Sequence, residues 1–370
     1  MIHYSTQLID DDDIDEVVKV LKSPFLTQGQ KVQEFEEALC NYTGSKYAIT
    51  FNSATSALHG AYFAADLQDG DEVITTPLSF VATSNMLLEV GATPIWCDIK
   101  PDGNLDEELI ESLITPKTKA IVPVHFAGKV VNLDKIHKIA KKYQLLVIED
   151  SAHALGSTLN GKKIGALSDM TIFSFHAIKP ITTGEGGAVM TNDEEYASKL
   201  RLFRSHGILK QKLWHSDMIT MGHNYRLTEI AAALGISQLK KIDKFIKKRN
   251  EIAEFYESAF KNEIKFTTIK IDKKDISSRH LYPILLSDSL KQYKETIFQK
   301  LLESKIGVQV HYKPIYKNSY YKEKFGETSL PIAKRFYESE ISIPCHHKMS
   351  LDDAKLVVST IFRIINKPLI

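Results

Sequence analysis

The segment Met170–Gly187, MTIFSFHAIKPITTGEGG, carries the densest chemistry in the chain. An apolar run leads into Ser174, then His176, then Lys179-Pro180. A lysine in apolar surroundings loses solvation, which lowers its pKa and makes the neutral amine accessible. That is what a Schiff-base lysine requires. Pro180 biases Lys179 away from the α region and stiffens the chain beside it. An isolated lysine is far more often a solvated surface residue, so the reading depends on what else lies nearby. The run LLVIED ends in Asp150, followed by Ser151-Ala152-His153. A carboxylate at the end of a buried strand is costly unless paired. It could face a cation, a metal or a protonated heterocycle, or simply cap a helix. His153 falls on the same side if a helical turn follows, either as packing or as part of a site. The run YAITF precedes Asn52-Ser53-Ala54-Thr55-Ser56. Small polar residues opening a helix expose free N–H groups to an anion such as phosphate, although a plain N-cap is the simpler account of this stretch alone.

The elements that must position these residues are short β-branched or apolar runs: Tyr47–Phe51, Glu72–Thr76, Thr93–Ile99, Ala120–His125, Leu145–Asp150, Met170–Phe175 and Gly187–Thr191. Their length and content predict seven strands. Helical periodicity separates most of them, over Ala54–Ala65, Phe80–Val90, Asp106–Ile114, Leu133–Tyr143 and Glu194–Arg204. The alternation predicts an α/β fold with a mostly parallel sheet covered by helices on both faces. Ligands gather at the carboxyl ends of such strands, where Ser53, Asp150 and Lys179 all fall. A phosphate-type helix start, a strand-end aspartate and a lysine in apolar context on one sheet edge are the three handles that hold and tune pyridoxal phosphate. Beyond Leu227 the pattern changes. One long helical stretch, Leu227–Phe260, leads into strand-like His280–Leu286, a helix near Glu295–Ser304, strand-like Val308–His311 and a last helix, Leu351–Asn366. We expect a large domain over residues 1–238 and a smaller α+β domain over 239–370.

Composition removes several classes of function. The 370 residues are 43% hydrophobic and 25% charged, ordinary for a globular protein and unlike a disordered one. Forty-seven basic against 46 acidic residues leave a net charge of +1, without the basic excess of a nucleic-acid-coating protein. The helix clusters Lys240–Lys241 and Lys247–Arg249 read as a solvated face. No apolar run approaches the ~20 residues needed to cross a bilayer. The acidic start MIHYSTQLIDDDDID does not resemble a signal peptide. Cys40, Cys97 and Cys345 are scattered, so neither a disulfide framework nor a zinc knuckle is expected, and a cytoplasmic protein is. Adjacent Cys345-His346-His347 cannot easily share one tetrahedral ion, so no metal site is expected. Neither GxxxxGK[ST] nor GxGxxG occurs, which disfavours a P-loop enzyme and a Rossmann dehydrogenase.

The stretches FNSATSAL, TTPLSFVATSN, IEDSAHALGS, FSFHAIKPITTGEGG, FRSHG and GHNYRLTEIAAALG, in this order, resemble the DegT-type sugar aminotransferases across essentially the whole chain. That family has the aspartate-aminotransferase fold (fold type I) and uses pyridoxal 5′-phosphate. SPFLTQG, FSFHAIKPITT, HLYPIL and QVHYKPIY are similar to the branch that serves pseudaminic acid biosynthesis. The resemblance implies that Lys179 bonds covalently to the cofactor. Asp150 would hold the pyridinium nitrogen protonated, and Phe80 would stack on the ring. His153, where many members have Gln, would lie near the 3-oxygen. Ser53, Ala54, Thr55 and Ser174 would hold the phosphate, with Asn224 reaching in from a second subunit of a homodimer. Tyr4, Pro24, Phe25, Leu26, Thr27, Gln309, Val310, His311 and Tyr312 would line a pocket for a UDP-linked keto-sugar, shared in part by Ala54, Ser174 and Asn224. Lys313 would be an extra diphosphate contact and Arg226 a partner for the carboxylate of L-glutamate, which leaves as 2-oxoglutarate; for both, an ordinary surface or ion-pair role stays open. Dehydratases of the same family carry His at the lysine position, so Lys179 favours amino transfer over dehydration and over a non-catalytic scaffold.

Overall fold

A computed structural model describes residues 1–272 and 274–368. Seven strands form one sheet in the order Tyr47–Phe51, Gly187–Thr191, Met170–Ser174, Leu146–Asp150, Thr118–Val122, Glu72–Thr75, Thr93–Trp96. Only Gly187–Thr191 runs antiparallel to its neighbours; the other four pairings are parallel. The α/β fold with a mostly parallel seven-stranded sheet is therefore as expected. Successive strand residues face opposite sides, which divides the apolar side chains between two cores. Val147, Phe173, Ala188 and Met190 pack with Phe35, Ile136 and Ile246 on one face. Ile148, Ile172 and Val189 pack with Leu58, Tyr62 and Leu200 on the other.

The antiparallel strand matters for the site. Gly187 pairs with Phe51 on one side and Ser174 on the other, so its start lies at the edge where those strands end. A Cβ at Gly187 would come within 2.6 Å of the Ala54 amide nitrogen and the Ser53 carbonyl oxygen. Only glycine permits that approach of strand to helix start.

A three-stranded antiparallel sheet, Phe266–Thr268, Tyr282–Leu286 and Glu340–Ile343, packs with the helices Ile242–Ala259, Lys294–Glu303 and Leu351–Ile365 around Tyr256, Tyr282, Ile284, Ile341 and Ile361. The expected helix Leu227–Phe260 is two helices, Glu229–Leu239 and Ile242–Ala259, broken at Lys240-Lys241. Ile242 and Ile246 belong to the large-sheet core, whereas Ile252 and Tyr256 belong to the C-terminal core. We propose the domain junction at 238/239, with the second helix as the bridge between cores.

Three expectations need correction. Val308–His311 is not a strand: Gln309 makes a single bridge with Ser342, and the His311 amide then bonds to the Glu340 carboxylate instead of a strand partner. The Asp106–Ile114 helix shrinks to Ile110–Leu113. Two N-terminal helices, Asp11–Leu21 and Gln30–Thr43, were not anticipated. The acidic run that opens the first is a helix start: Asp10 and Asp13 form a capping box, and Asp11 to Asp13 complement the positive helix end.

Candidate active site

A cavity of about 610 Å³ opens at the carboxyl edge of the large sheet. It is lined by Tyr4, Ser53, Ala54, Thr55, Phe80, Asp150, His153, Ser174, Lys179, Gln309, Val310, His311 and Tyr312, thirteen of the residues expected there. Each arrives by a local rule. Ser53 caps the helix Ala54–Ala64, accepting the Ser56 N–H at 3.1 Å in a capping box. The first-turn N–H groups that this cap leaves free point outward beside Ser174, which is buried at its strand end. Asp150 ends its own strand, 4% exposed. Its Oδ2 accepts from Thr83 Oγ1 at 2.7 Å and its Oδ1 from the Ala152 N–H at 3.2 Å. Ser79 Oγ, in the bend before the helix Ala82–Glu89, lies 2.8 Å from Thr83 Oγ1 and so backs the hydroxyl that holds the carboxylate.

Lys179 projects from a turn held by its own N–H to the His176 carbonyl at 2.9 Å. Ser5 Oγ ties the adjoining Ile178 carbonyl to the N-terminal arm at 3.2 Å, which brings Tyr4 to the same cavity. Burial pushes the Lys179 amine down to about 8, helped by the Arg249 charge and opposed by Asp150. Nζ lies within hydrogen-bond distance of His280 Nε2, at 3.4 Å. The His280 and His153 ring centroids lie 4.4 Å apart with the planes tilted by 41°, and Tyr312 Oη is 3.1 Å from His153 Nε2. Burial, with the Lys179 charge, holds both imidazoles well below their ordinary value, so they stay neutral. Both keep a buried Nδ1 with no protein partner among the described residues. Phe80 stands at the mouth, 60% exposed, its ring edge-on to Tyr312 at 6.4 Å. A flat apolar ring left uncovered beside buried polar atoms is a surface made to be covered.

Pyridoxal phosphate fits these groups. A flat heterocycle suits Phe80, a ring nitrogen suits Asp150, an aldehyde suits a partly neutral amine, and a phosphate suits the Ser53–Thr55 helix start with Ser174.

The remaining expected residues lie elsewhere in this chain. Pro24, Phe25, Leu26 and Thr27 are exposed, with the Leu26 carbonyl accepting from the Glu229 N–H at 3.0 Å. Asn224 is exposed and pairs with Ser205. Lys313 is exposed. Arg226 lines a different cleft of about 750 Å³, with Arg201, Arg204 and Glu36. That cleft is larger, but it holds no strand-end aspartate, and Arg204 is already paired with Glu36. Sequence reasoning missed Thr83 and His280. Thr83 lies in the expected helix Phe80–Val90, but nothing in its spacing tied it to Asp150. His280 had only its place at the start of a predicted strand.

The sheet order, the strand-end aspartate, the buried turn lysine and the helix start define a fold type I aminotransferase. A family model for the DegT/DnrJ/EryC1/StrS aminotransferase family matches residues 7–362, and the chain belongs to that family. It is 52% identical over 370 residues to the UDP-4-amino-4,6-dideoxy-N-acetyl-beta-L-altrosamine transaminase of Campylobacter jejuni subsp. jejuni (strain 81-176), covering 99% of this chain and 98% of that protein. The solved structure of Helicobacter pylori PseC, described as an aminotransferase involved in the biosynthesis of pseudoaminic acid, superposes with a TM-score of 0.95 at 46% identity, covering 98% of each chain. Spr1654 of Streptococcus pneumoniae, solved in a PLP form, superposes with a TM-score of 0.93 at 33% identity, covering 97% of each chain. No helix among the described residues is long and apolar enough to cross a membrane.

Proposed function

We propose that this chain transfers the amino group of L-glutamate to C4 of a UDP-linked 4-keto-6-deoxy sugar. The specific substrate is UDP-2-acetamido-2,6-dideoxy-β-L-arabino-hex-4-ulose and the product UDP-4-amino-4,6-dideoxy-N-acetyl-β-L-altrosamine, a step of pseudaminic acid biosynthesis in the cytoplasm. The observation that carries the reading is Lys179: a lysine, not a histidine, its amine brought by burial down to about 8, in one cavity with Asp150 and the Ser53 helix start.

Pyridoxal phosphate, when bound, supplies an electron sink and a temporary carrier for the amino group. The protein's residues do the rest. Lys179 and Asp150 would hold the ring, Phe80 would cover it, and Ser53, Ala54, Thr55 and Ser174 would take the phosphate. Asp150, held by Thr83, would place its carboxylate at the ring nitrogen and favour the protonated form of that nitrogen. Neutral Lys179 removes the proton from Cα of glutamate, as a general base in hydrogen-bond reach can. Glutamate leaves as 2-oxoglutarate. In the second half Lys179 delivers a proton to C4 of the sugar, so the two substrates use one site in turn. His153 and His280, uncharged, add no competing cation to the Asp150 side. Tyr4 and Gln309–Tyr312 form the sugar wall. Asn224 and the Pro24–Thr27 segment, exposed here, serve the cavity of a second copy, which makes a homodimer the working unit.

The test is product analysis by mass spectrometry with [15N]glutamate and a panel of nucleotide keto-sugars. The expected result is 15N at C4 of the UDP sugar and stoichiometric 2-oxoglutarate. Loss of water from the sugar without 15N incorporation would assign the chain to dehydration instead.

A further inference from the structure

His311 reaches the cavity from one side, and its hydrogen bonds lead away from it into a buried acid. His311 Nδ1 lies 2.8 Å from Ser342 Oγ. Ser342 Oγ lies 2.6 Å from Glu340 Oε1. The other carboxyl oxygen, Oε2, accepts the His311 main-chain N–H at 2.8 Å. Glu340 and Ser342 are fully buried and two apart on one strand, hence on the same face. The His311 ring lines the cavity, and its Nε2 has no protein partner among the described residues. We propose that Glu340 and Ser342 are positioning residues that set the tautomer of His311, and so decide whether its free ring nitrogen donates or accepts a hydrogen bond in the sugar pocket.

The bonded chain allows two states. Oε2 is committed to the His311 N–H, so a proton on Glu340 sits on Oε1 and is donated to Ser342 Oγ. Ser342 O–H then donates to His311 Nδ1, and the ring hydrogen is on Nε2. When Glu340 is ionised, Ser342 O–H turns to Oε1, Nδ1 carries the ring hydrogen, and Nε2 presents a lone pair. One proton leaves Glu340 between the states and the ring stays neutral. Burial pushes the Glu340 carboxyl up to about 8, against its bonds from Ser342 and His311 and the Lys294 charge. The other groups facing it agree: the Lys294 amine is lowered by burial and the Tyr312 hydroxyl raised by it. Burial and the Lys179 charge hold His311 down to about 3, so only its tautomer changes. At neutral pH the protonated acid prevails and Nε2–H faces outward, suited to a hydroxyl or amide-carbonyl oxygen. That choice of ligand rests on the sugar substrate proposed above; the tautomer does not.

The test is nitrogen NMR of holoenzyme labelled with [15N]histidine, with the His311 signal assigned by its loss in His311→Gln. Wild-type Nε2 is expected to be pyrrole-type at neutral pH and to become pyridine-type as pH passes about 8. In Glu340→Gln the amide NH2 copies the protonated acid, so Nε2 stays pyrrole-type at every pH. Ser342→Ala cuts the chain; its KM for the sugar nucleotide should rise roughly five- to tenfold with kcat near wild type, the loss of one oriented hydrogen bond. A wild-type His311 that keeps one nitrogen pattern through the alkaline range overturns the proposal, as does a Glu340→Gln protein that follows the wild-type pH curve. Both readouts stand even if no keto-sugar in the panel is turned over.

Discussion

Replacing Asp150 by Asn separates two effects of one carboxylate. In cofactor-free protein Asp150 favours the protonated form of Lys179, opposing the burial that brings the amine from 10.5 to about 8. That net shift corresponds to roughly 3 kcal/mol in favour of the neutral amine. It leaves about a tenth of Lys179 neutral at pH 7, against well under a thousandth for an ordinary lysine. Asp150→Asn removes the opposing attraction, so the Lys179 pKa falls further and more of the amine is neutral at pH 7. In the loaded enzyme the same change removes the counter-charge of a buried ring cation. Breaking a buried pair costs about 3–5 kcal/mol, or roughly 10²–10⁴ in turnover. The first effect is read as the pH dependence of Lys179 labelling by trinitrobenzenesulfonate, followed by peptide mass spectrometry. The second is read by single-turnover amino transfer after reconstitution. A more reactive lysine in a nearly dead enzyme is the expected combination. A Lys179 pKa that rises, or turnover within tenfold of wild type, would refute the reasoning.

Gly187→Ala places a Cβ 2.6 Å from the Ala54 nitrogen and should force the helix start away from the strand; the expected loss is in retention of cofactor on gel filtration, with the fold intact by circular dichroism. Thr83→Val removes the 2.7 Å bond to Asp150 and should lower turnover roughly tenfold, the worth of a hydrogen bond to a charged group; unchanged kcat would mean that Asp150 needs no brace. His280→Phe takes away the ring nitrogen 3.4 Å from Lys179 Nζ; the pH profile of the first half-reaction should shift, whereas a purely structural histidine would leave it in place. Arg249→Met should destabilise by about 3 kcal/mol in urea unfolding. Its fully buried guanidinium supplies the Arg279, His280 and Cys345 carbonyls at 3.1, 3.4 and 2.7 Å.

The large sheet was legible because its strands are buried on both faces and read as unbroken apolar runs: Tyr47–Phe51 and Gly187–Thr191 begin and end where expected. Lys179, Asp150 and Ser53 were legible because the carboxyl edge of a parallel sheet collects ligands whatever the loops do. Periodicity could not report breaks made by tertiary contact. Gln238 to Lys241 are good helix formers, yet the chain leaves one helix and begins another there, with Lys241 held by Asp10 and Asp13. The Val308–His311 segment looked like a strand because its composition is that of one; the Glu340 carboxylate, nearly thirty residues downstream, takes the His311 amide that a ladder would need. His280 and Thr83 were missed for a related reason. Each acts on a group brought near by folding, Lys179 or Asp150, and local spacing records no such meeting.

The central claim is that one amine, that of Lys179, carries the cofactor. Borohydride reduction of the loaded protein, followed by digestion and peptide mass spectrometry, addresses it directly. The expected result is a single pyridoxyl-phosphate adduct on the peptide containing Lys179, absent from Lys179→Ala. An adduct on another lysine, or none in protein that still transfers the amino group, would contradict it.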